Sequence, residues 1–152
     1  MSLEEWLRNG WLTEHRTSRE EISDLFRLID RDLKDCQPSA LSSDWKLNIA
    51  YNAALQSAKT ALAAAGYRAT REAHHYRIIH TLEHTVQADQ KLIVQLDLFR
   101  KKRNISDYER AGTISDQEVH EMIDLAKALR EMVEKWLRKN YPELVLKKNE
   151  AL

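Results

Sequence analysis

Ile49-Ala-Tyr-Asn-Ala-Ala-Leu-Gln-Ser-Ala-Lys59-Thr-Ala-Leu-Ala-Ala-Ala65-Gly66 is the stretch on which the fold turns. Alanine is the strongest helix former, and here it recurs at 50, 53, 54, 58, 61 and 63–65. Small side chains on several faces let neighbouring helix axes approach closely, so this helix belongs in the centre of a bundle. It starts after Ser42 or Ser43, and Gly66 stands where a C-terminal stop is needed. Upstream, Ser18-Arg-Glu-Glu21 has capping-box spacing and opens a helix with Ile22, Leu25, Phe26, Ile29 and Leu33 on one stripe. Gln37-Pro38 ends it, because proline disfavours helical geometry in the residue before it. Before that, Leu3 to Leu12 is a short amphipathic segment bearing Trp6 and Trp11 and ending near Gly10. Downstream, a fourth helical region spans roughly Glu72 to Arg103, with a break near Gln87 to Gln90. After a loop at Gly112, Ser115-Asp-Gln-Glu118 opens a last helix with Val119, Ile123, Ala126, Val133 and Leu137, which stops before Pro142.

Strict period-two alternation never lasts long enough for a strand. The expected fold is therefore all-α, an antiparallel up-and-down bundle of four to five helices in one domain. Residues 1–38 should supply helices packed on the bundle, 39–141 the bundle itself, and 142–152 a frayed tail. A chain of 152 residues can bury a sizeable core, while 3 glycines and 2 prolines are too few for the turns of an all-β fold. The mean hydropathy is −0.61, and no apolar run approaches the roughly 20 residues of a membrane span. The opening Met-Ser-Leu-Glu-Glu-Trp lacks the features of a signal peptide, so the expectation is a cytoplasmic protein with no membrane partner. Cys36 stands alone, excluding an internal disulfide, and no neighbour supplies an activating partner.

Formal net charge is zero, which at first argues against a nucleic-acid partner. The balance hides a local asymmetry: residues 1–44 sum to −4, 45–112 to +5 and 113–152 to −1. The basic third is densest at Phe99-Arg-Lys-Lys-Arg-Asn104, with Arg68, Arg71 and Arg77 upstream. Such a run reads either as a solvated helix end favoured by the helix dipole or as an anion site. In the second case, arginines beside an amide side chain bind phosphate through charge-assisted, bidentate bonds.

Four histidines fall between positions 74 and 84. On a continuous helix His80 and His84 are i,i+4 neighbours able to face one metal, the weak metal candidates of this chain. The zinc-protease pattern needs Glu directly after the first His, where Thr81 stands; a di-iron bundle needs two Glu-x-x-His motifs, and only Glu72-Ala-His-His75 fits. No metal or other cofactor is therefore expected.

Two stretches together resemble the HEPN-domain family, the higher eukaryote and prokaryote nucleotide-binding proteins. Ala50-Tyr51 through Lys59-Thr-Ala-Leu62, followed by Gly66, is similar to the family's "A-Y-x-A-x-x-x-A-A-K-A-L-L, then G" helix. Leu98-Phe99-Arg100-Lys-Lys-Arg103-Asn104-Ile-Ser-Asp107-Tyr108 resembles its "R-x-x-R-x-x-A-D-Y" segment, and the helix from Ser115 to Leu137 its final helix. The likeness covers about residues 40–138. It implies an antiparallel bundle that usually dimerises, with the two Arg-Asn segments facing a shared cleft. Many such proteins bind or cut RNA, often as toxins controlled by a small nucleotidyltransferase partner.

Cutting members carry Arg, four to six residues, then His. The histidine moves the proton while the arginine stabilises the pentacovalent phosphate, and no metal takes part. Counting from Arg103, that place is taken by Tyr108, Glu109 and Arg110. The implied role is thus RNA or nucleotide binding by Arg100, Arg103, Asn104, Asp107 and Tyr108, without efficient cleavage. Two alternatives stay open. One is a catalytically silent interaction or structural dimer in which Arg103 pairs with Asp107, its i,i+4 neighbour. The other is a metal-independent ribonuclease using Tyr108, the weak catalytic candidate, or a spatially adjacent His80 or His84.

Overall fold

A computed structural model describes residues 2–37, 40–71, 74–106 and 114–145, with backbone alone for 104–106. Among these residues lie six α-helices: α1 (Leu3–Arg8), α2 (Arg19–Asp35), α3 (Ser43–Ala64), α4 (His74–His80), α5 (Gln90–Ser106) and α6 (Asp116–Asn140). Two short 3₁₀ turns follow α4 and α6, and two three-residue strands, β1 (Leu12–Glu14) and β2 (Tyr67–Ala69), form the one small sheet. The fold is all-α in class.

Helix α3 is the centre. Leu47, Ala50, Tyr51, Ala53, Ala54, Ala58, Ala61 and Leu62 are at most 1% exposed, and the helix touches α2, α4, α5 and α6. Its core hydroxyls are satisfied internally, Ser57 Oγ donating to the Ala53 carbonyl (2.9 Å) and Thr60 Oγ1 to that of Gln56 (2.7 Å). Against it lie Ile22, Phe26 and Ile29 of α2 and the Val119, Met122, Ala126, Leu129, Val133 and Leu137 row of α6, each at the three- and four-residue spacing of one helical face. Side-chain bonds set the directions. Ser43 Oγ donates to Asp116 Oδ1 (2.9 Å), so α3 and α6 begin at the same end, while the Lys102–Glu118 ion pair brings the C-terminal part of α5 to that end too. The buried Asp32 of α2 is held by Asn52 Nδ2 of α3 at 2.7 Å.

The caps follow the sequence. Ser18, Ser42 and Ser115 each accept a backbone N–H from the residue three positions on, and Ser115 with Glu118 completes a capping box. At Ser18 the box stays half-made, because Glu21 turns its carboxylate to His15 (2.7 Å) and Thr17 (2.8 Å). Gly66 takes φ +101°, a left-handed value that reverses the chain out of α3.

Three sequence expectations need correction. The N-terminal segment is helical only to Arg8; Gly10 turns it at φ +78° and Leu12–Glu14 becomes a strand antiparallel to Tyr67–Ala69. Periodicity could not show three residues pairing with a segment more than fifty positions away. The break in the fourth region comes earlier than Gln87: α4 ends at His80, a 3₁₀ turn spans Thr81–Glu83, and Gln87 adopts φ 58°. Thr81 Oγ1 donates to the Ile78 carbonyl (2.6 Å) within that turn. His80 and His84 therefore do not share one α-helical face, and their partners differ. His80 stacks on Tyr76 (4.1 Å between centroids), whereas His84 meets the edge of Trp6 (5.9 Å). No cluster of three or more metal-ligating side chains occurs among the described residues.

A second small cluster, Trp6, Leu12 and Leu62 flanked by Trp11 and Tyr67, fastens the N-terminal segment to α3, and Arg77 of α4 lies 4.6 Å over the Trp11 ring. Cys36 is buried and donates to the Leu33 carbonyl (3.3 Å), and burial pushes its thiol above the ordinary range. No described helix is long and apolar enough to cross a membrane.

Close approach on α3 makes a size prediction. Ala61→Leu, at a position with no exposure, should destabilise the protein by about 1–3 kcal/mol through overpacking, read from the midpoint of urea unfolding at unchanged m-value.

Candidate functional site

Helix α5 turns Ile93, Leu96 and Phe99 into the core. One step round, Asp97, Arg100 and Arg103 repeat at i,i+3 along the edge that meets α3 and α4. Asp97 organises this edge. Its Oδ1 accepts from Arg100 Nε (2.7 Å) and its Oδ2 pairs with Lys101 Nζ (3.4 Å). Burial alone would raise its pKa, but the bonds and charges of Arg100 and Lys101 more than offset that and hold the carboxyl below the usual range.

Each arginine lies against an aromatic ring: Arg100 Cζ is 5.5 Å from the Tyr76 centroid, and Arg103 Cζ is 5.4 Å from that of Tyr51. Tyr51 is the buried phenol of α3, and its oxygen lies 3.4 Å from Nδ1 of His75 on α4. Burial, opposed only in part by the two arginines, pushes the Tyr51 pKa up to about 12, so the phenol keeps its proton at all ordinary pH. His75 is pushed the other way, below the ordinary imidazole value, by burial first and then by Arg103, His74 and Arg100. His80 is also lowered, chiefly by burial with Arg100 adding, while Asp97 and Glu83 oppose. Its Nε2 is buried with no hydrogen-bond partner among the described residues.

The result is a seam between α4 and α5, floored by Tyr51, where two fixed cations stand beside two neutral imidazoles. Arg100 and Arg103 come together there as the sequence places them, on one edge of one helix. Asn104 belongs to the same helix, and Asp107 and Tyr108 lie outside the described residues. His80 is part of the seam; His84 is not. Sequence reasoning missed Asp97, Tyr76 and above all His75. The signals existed, Asp97-x-x-Arg100-x-x-Arg103 as an i,i+3 ladder and Tyr51 inside the quoted alanine motif, but nothing in the sequence says which histidine meets which arginine.

A helical-bundle domain with a cationic, histidine-bearing seam is the class that fold and site define. The chain matches the family model of the HEPN domain over residues 31–136, well over half its length, and it belongs to the HEPN-domain family. Neither the curated proteins nor the solved structures yield a match. Membership points to nucleotide- or RNA-directed function, binding or RNase-like.

The lowered imidazoles fix a pH response. An unfolded histidine protonates near ~6.5, and one held lower in the folded state leaves the unfolded chain with more bound protons below that value. The contribution of His75 and His80 to stability is therefore complete above ~pH 6.5 and lost as pH falls toward their folded-state values. His75→Gln should flatten the loss of stability between roughly pH 6.5 and 5 relative to wild type, measured by urea unfolding at a series of pH values.

Proposed function

We propose that the α4–α5 seam binds the phosphate of RNA or of a nucleotide. Arg100 and Arg103 pair with its oxygens, and Asn104, Asp107 and Tyr108 orient the arginines or contact the ligand. The observation that supports this is the setting of Arg100. Asp97 holds it through Nε, one of the five N–H donors of a guanidinium, and a fork fixed in advance loses less freedom on meeting phosphate. The +5 middle third supplies the surrounding field. The reading extends to a cytoplasmic homodimer whose two segments face one cleft, and to the toxin-like half of a toxin–antitoxin pair with a nucleotidyltransferase.

Fluorescence anisotropy with labelled single-stranded RNA at several salt concentrations tests it. Arg103→Ala should weaken binding and reduce the slope of log affinity against log salt by about 0.7, the share of one phosphate contact on a single strand. If affinity and slope stay at wild-type values while the dimer falls apart, the segment is interface and the protein is a silent interaction dimer.

One arrangement favours a second reading. Arg103 lies over the Tyr51 ring and His75 Nδ1 lies 3.4 Å from the Tyr51 hydroxyl, which supports His75 as a stand-in for the proton-transfer group missing after Arg103 in the sequence. In that reading, His75 takes the proton of a ribose 2′-hydroxyl as its oxygen bonds to the adjacent phosphorus. The bond from phosphorus to the 5′ oxygen breaks, that oxygen takes a proton from water, and Arg103 steadies the charge on the phosphate. Cleavage in the presence of chelator, leaving 2′,3′-cyclic phosphate ends and slowed about 10²- to 10⁴-fold by His75→Ala, is the expected outcome; intact RNA after long incubation overturns it.

A further inference from the structure

A cavity of about 170 Å³ lies between α4, α3, the N-terminal part of α2, strand β2 and His15. Its walls join two parts of the chain. His15, Glu21 and Leu25 precede the family-matched residues, whereas Lys59, Arg68 and His74 lie within them. The partly exposed Leu25 and Tyr67 add apolar surface.

Lys59 is the feature that demands an explanation. After Lys46 it is the one charged residue of α3, set in the alanine-rich part of the helix, and it is half-buried. It lines the cavity and makes no ion pair among the described residues. The one carboxylate lining the cavity, Glu21, is engaged elsewhere, accepting from His15 Nε2 (2.7 Å) and Thr17 Oγ1 (2.8 Å). Its pKa is lowered despite burial, by those two bonds and by the charges of His15 and Arg68. Lys59 and Arg68, with two imidazoles beside them, thus face one already committed anion, and the cavity is short of negative charge.

We infer that this cavity is a binding site for a small phosphate monoester. A phosphate monoester carries about −1.5 to −2 charges near neutrality and can accept from both Lys59 and Arg68. Size limits the rest of the ligand. At about 30 Å³ per water the cavity has room for roughly half a dozen waters, enough for a phosphate and a short carbon chain resting on Leu25 and Tyr67. It falls below the roughly 300–1,000 Å³ of pockets for drug-sized ligands, which favours a small ligand over an enclosed nucleotide. The site is distinct from the α4–α5 seam. It gives the segment before residue 31 a role, because without His15, Glu21 and Leu25 the cavity loses one wall.

Isothermal titration calorimetry of the full chain with glycerol 3-phosphate tests the inference, with inorganic phosphate and glycerol as separate arms. Saturable binding of glycerol 3-phosphate is expected, with weaker binding of inorganic phosphate and none of glycerol. Lys59→Gln and Arg68→Gln should each weaken it about tenfold or more, the usual worth of a charge-assisted bond. Arg68 is exposed on β2, so its variant reads the site without disturbing the core. The double variant Arg100→Ala/Arg103→Ala should bind glycerol 3-phosphate like wild type whether or not the seam binds RNA. No binding at millimolar ligand, equal binding of glycerol, wild-type affinity in both single variants, or loss in the double variant alone would each overturn the assignment.

Discussion

A helix buried along most of its length constrains everything around it, and α3 is such a helix: thirteen of its 22 residues are buried. A central helix of this kind works only if its neighbours can come close without voids, which alanine permits and larger residues forbid. Polar groups on it must then be few, and each must have a purpose or a partner. Ser57 and Thr60 turn back to their own helix, and Asn52 reaches the buried Asp32. Tyr51, under Arg103 and beside His75, and Lys59, at the cavity, are the α3 residues around which charged side chains of other elements gather.

Helix α4 divides those two places. Although only seven residues long, it presents His75 to Tyr51 and His74 to the cavity, so consecutive histidines of one sequence motif serve different surroundings. Their rings are 5.6 Å apart between centroids. Tyr76 and His80 continue the division on the α5 side, with Arg100 above Tyr76.

Much of this architecture is legible in the chain, for local reasons. Serine caps, the glycine stop and the three- and four-residue stripes are properties of neighbours in sequence, and they locate α2, α3 and α6 to within a residue or two. Sequence reasoning fails where partners are distant. The β1–β2 pairing joins Leu12 to Ala69, and no stretch of three residues announces a strand. The early end of α4 comes from threonine hydroxyls bonding back to nearby carbonyls, a competition that propensity sees only faintly. For the site, the arginines are visible as a run, but the imidazole beside them is not, because position along the chain does not encode which faces of two helices meet.

The pairing of β1 with β2 has a consequence for the order in which the molecule acquires its parts. It closes a long loop of chain with only three residue pairs, and the entropy of closure falls due before those few contacts return anything. Such a strand pair gains little by forming alone; it becomes favourable once α3 has condensed with α2 and α6, and once Gly66 has set the direction in which β2 leaves. The wall that His15 gives to the cavity is thus among the last features in place and among the first surrendered. The N-terminal segment registers, in whether it is docked or loose, the integrity of the whole bundle behind it.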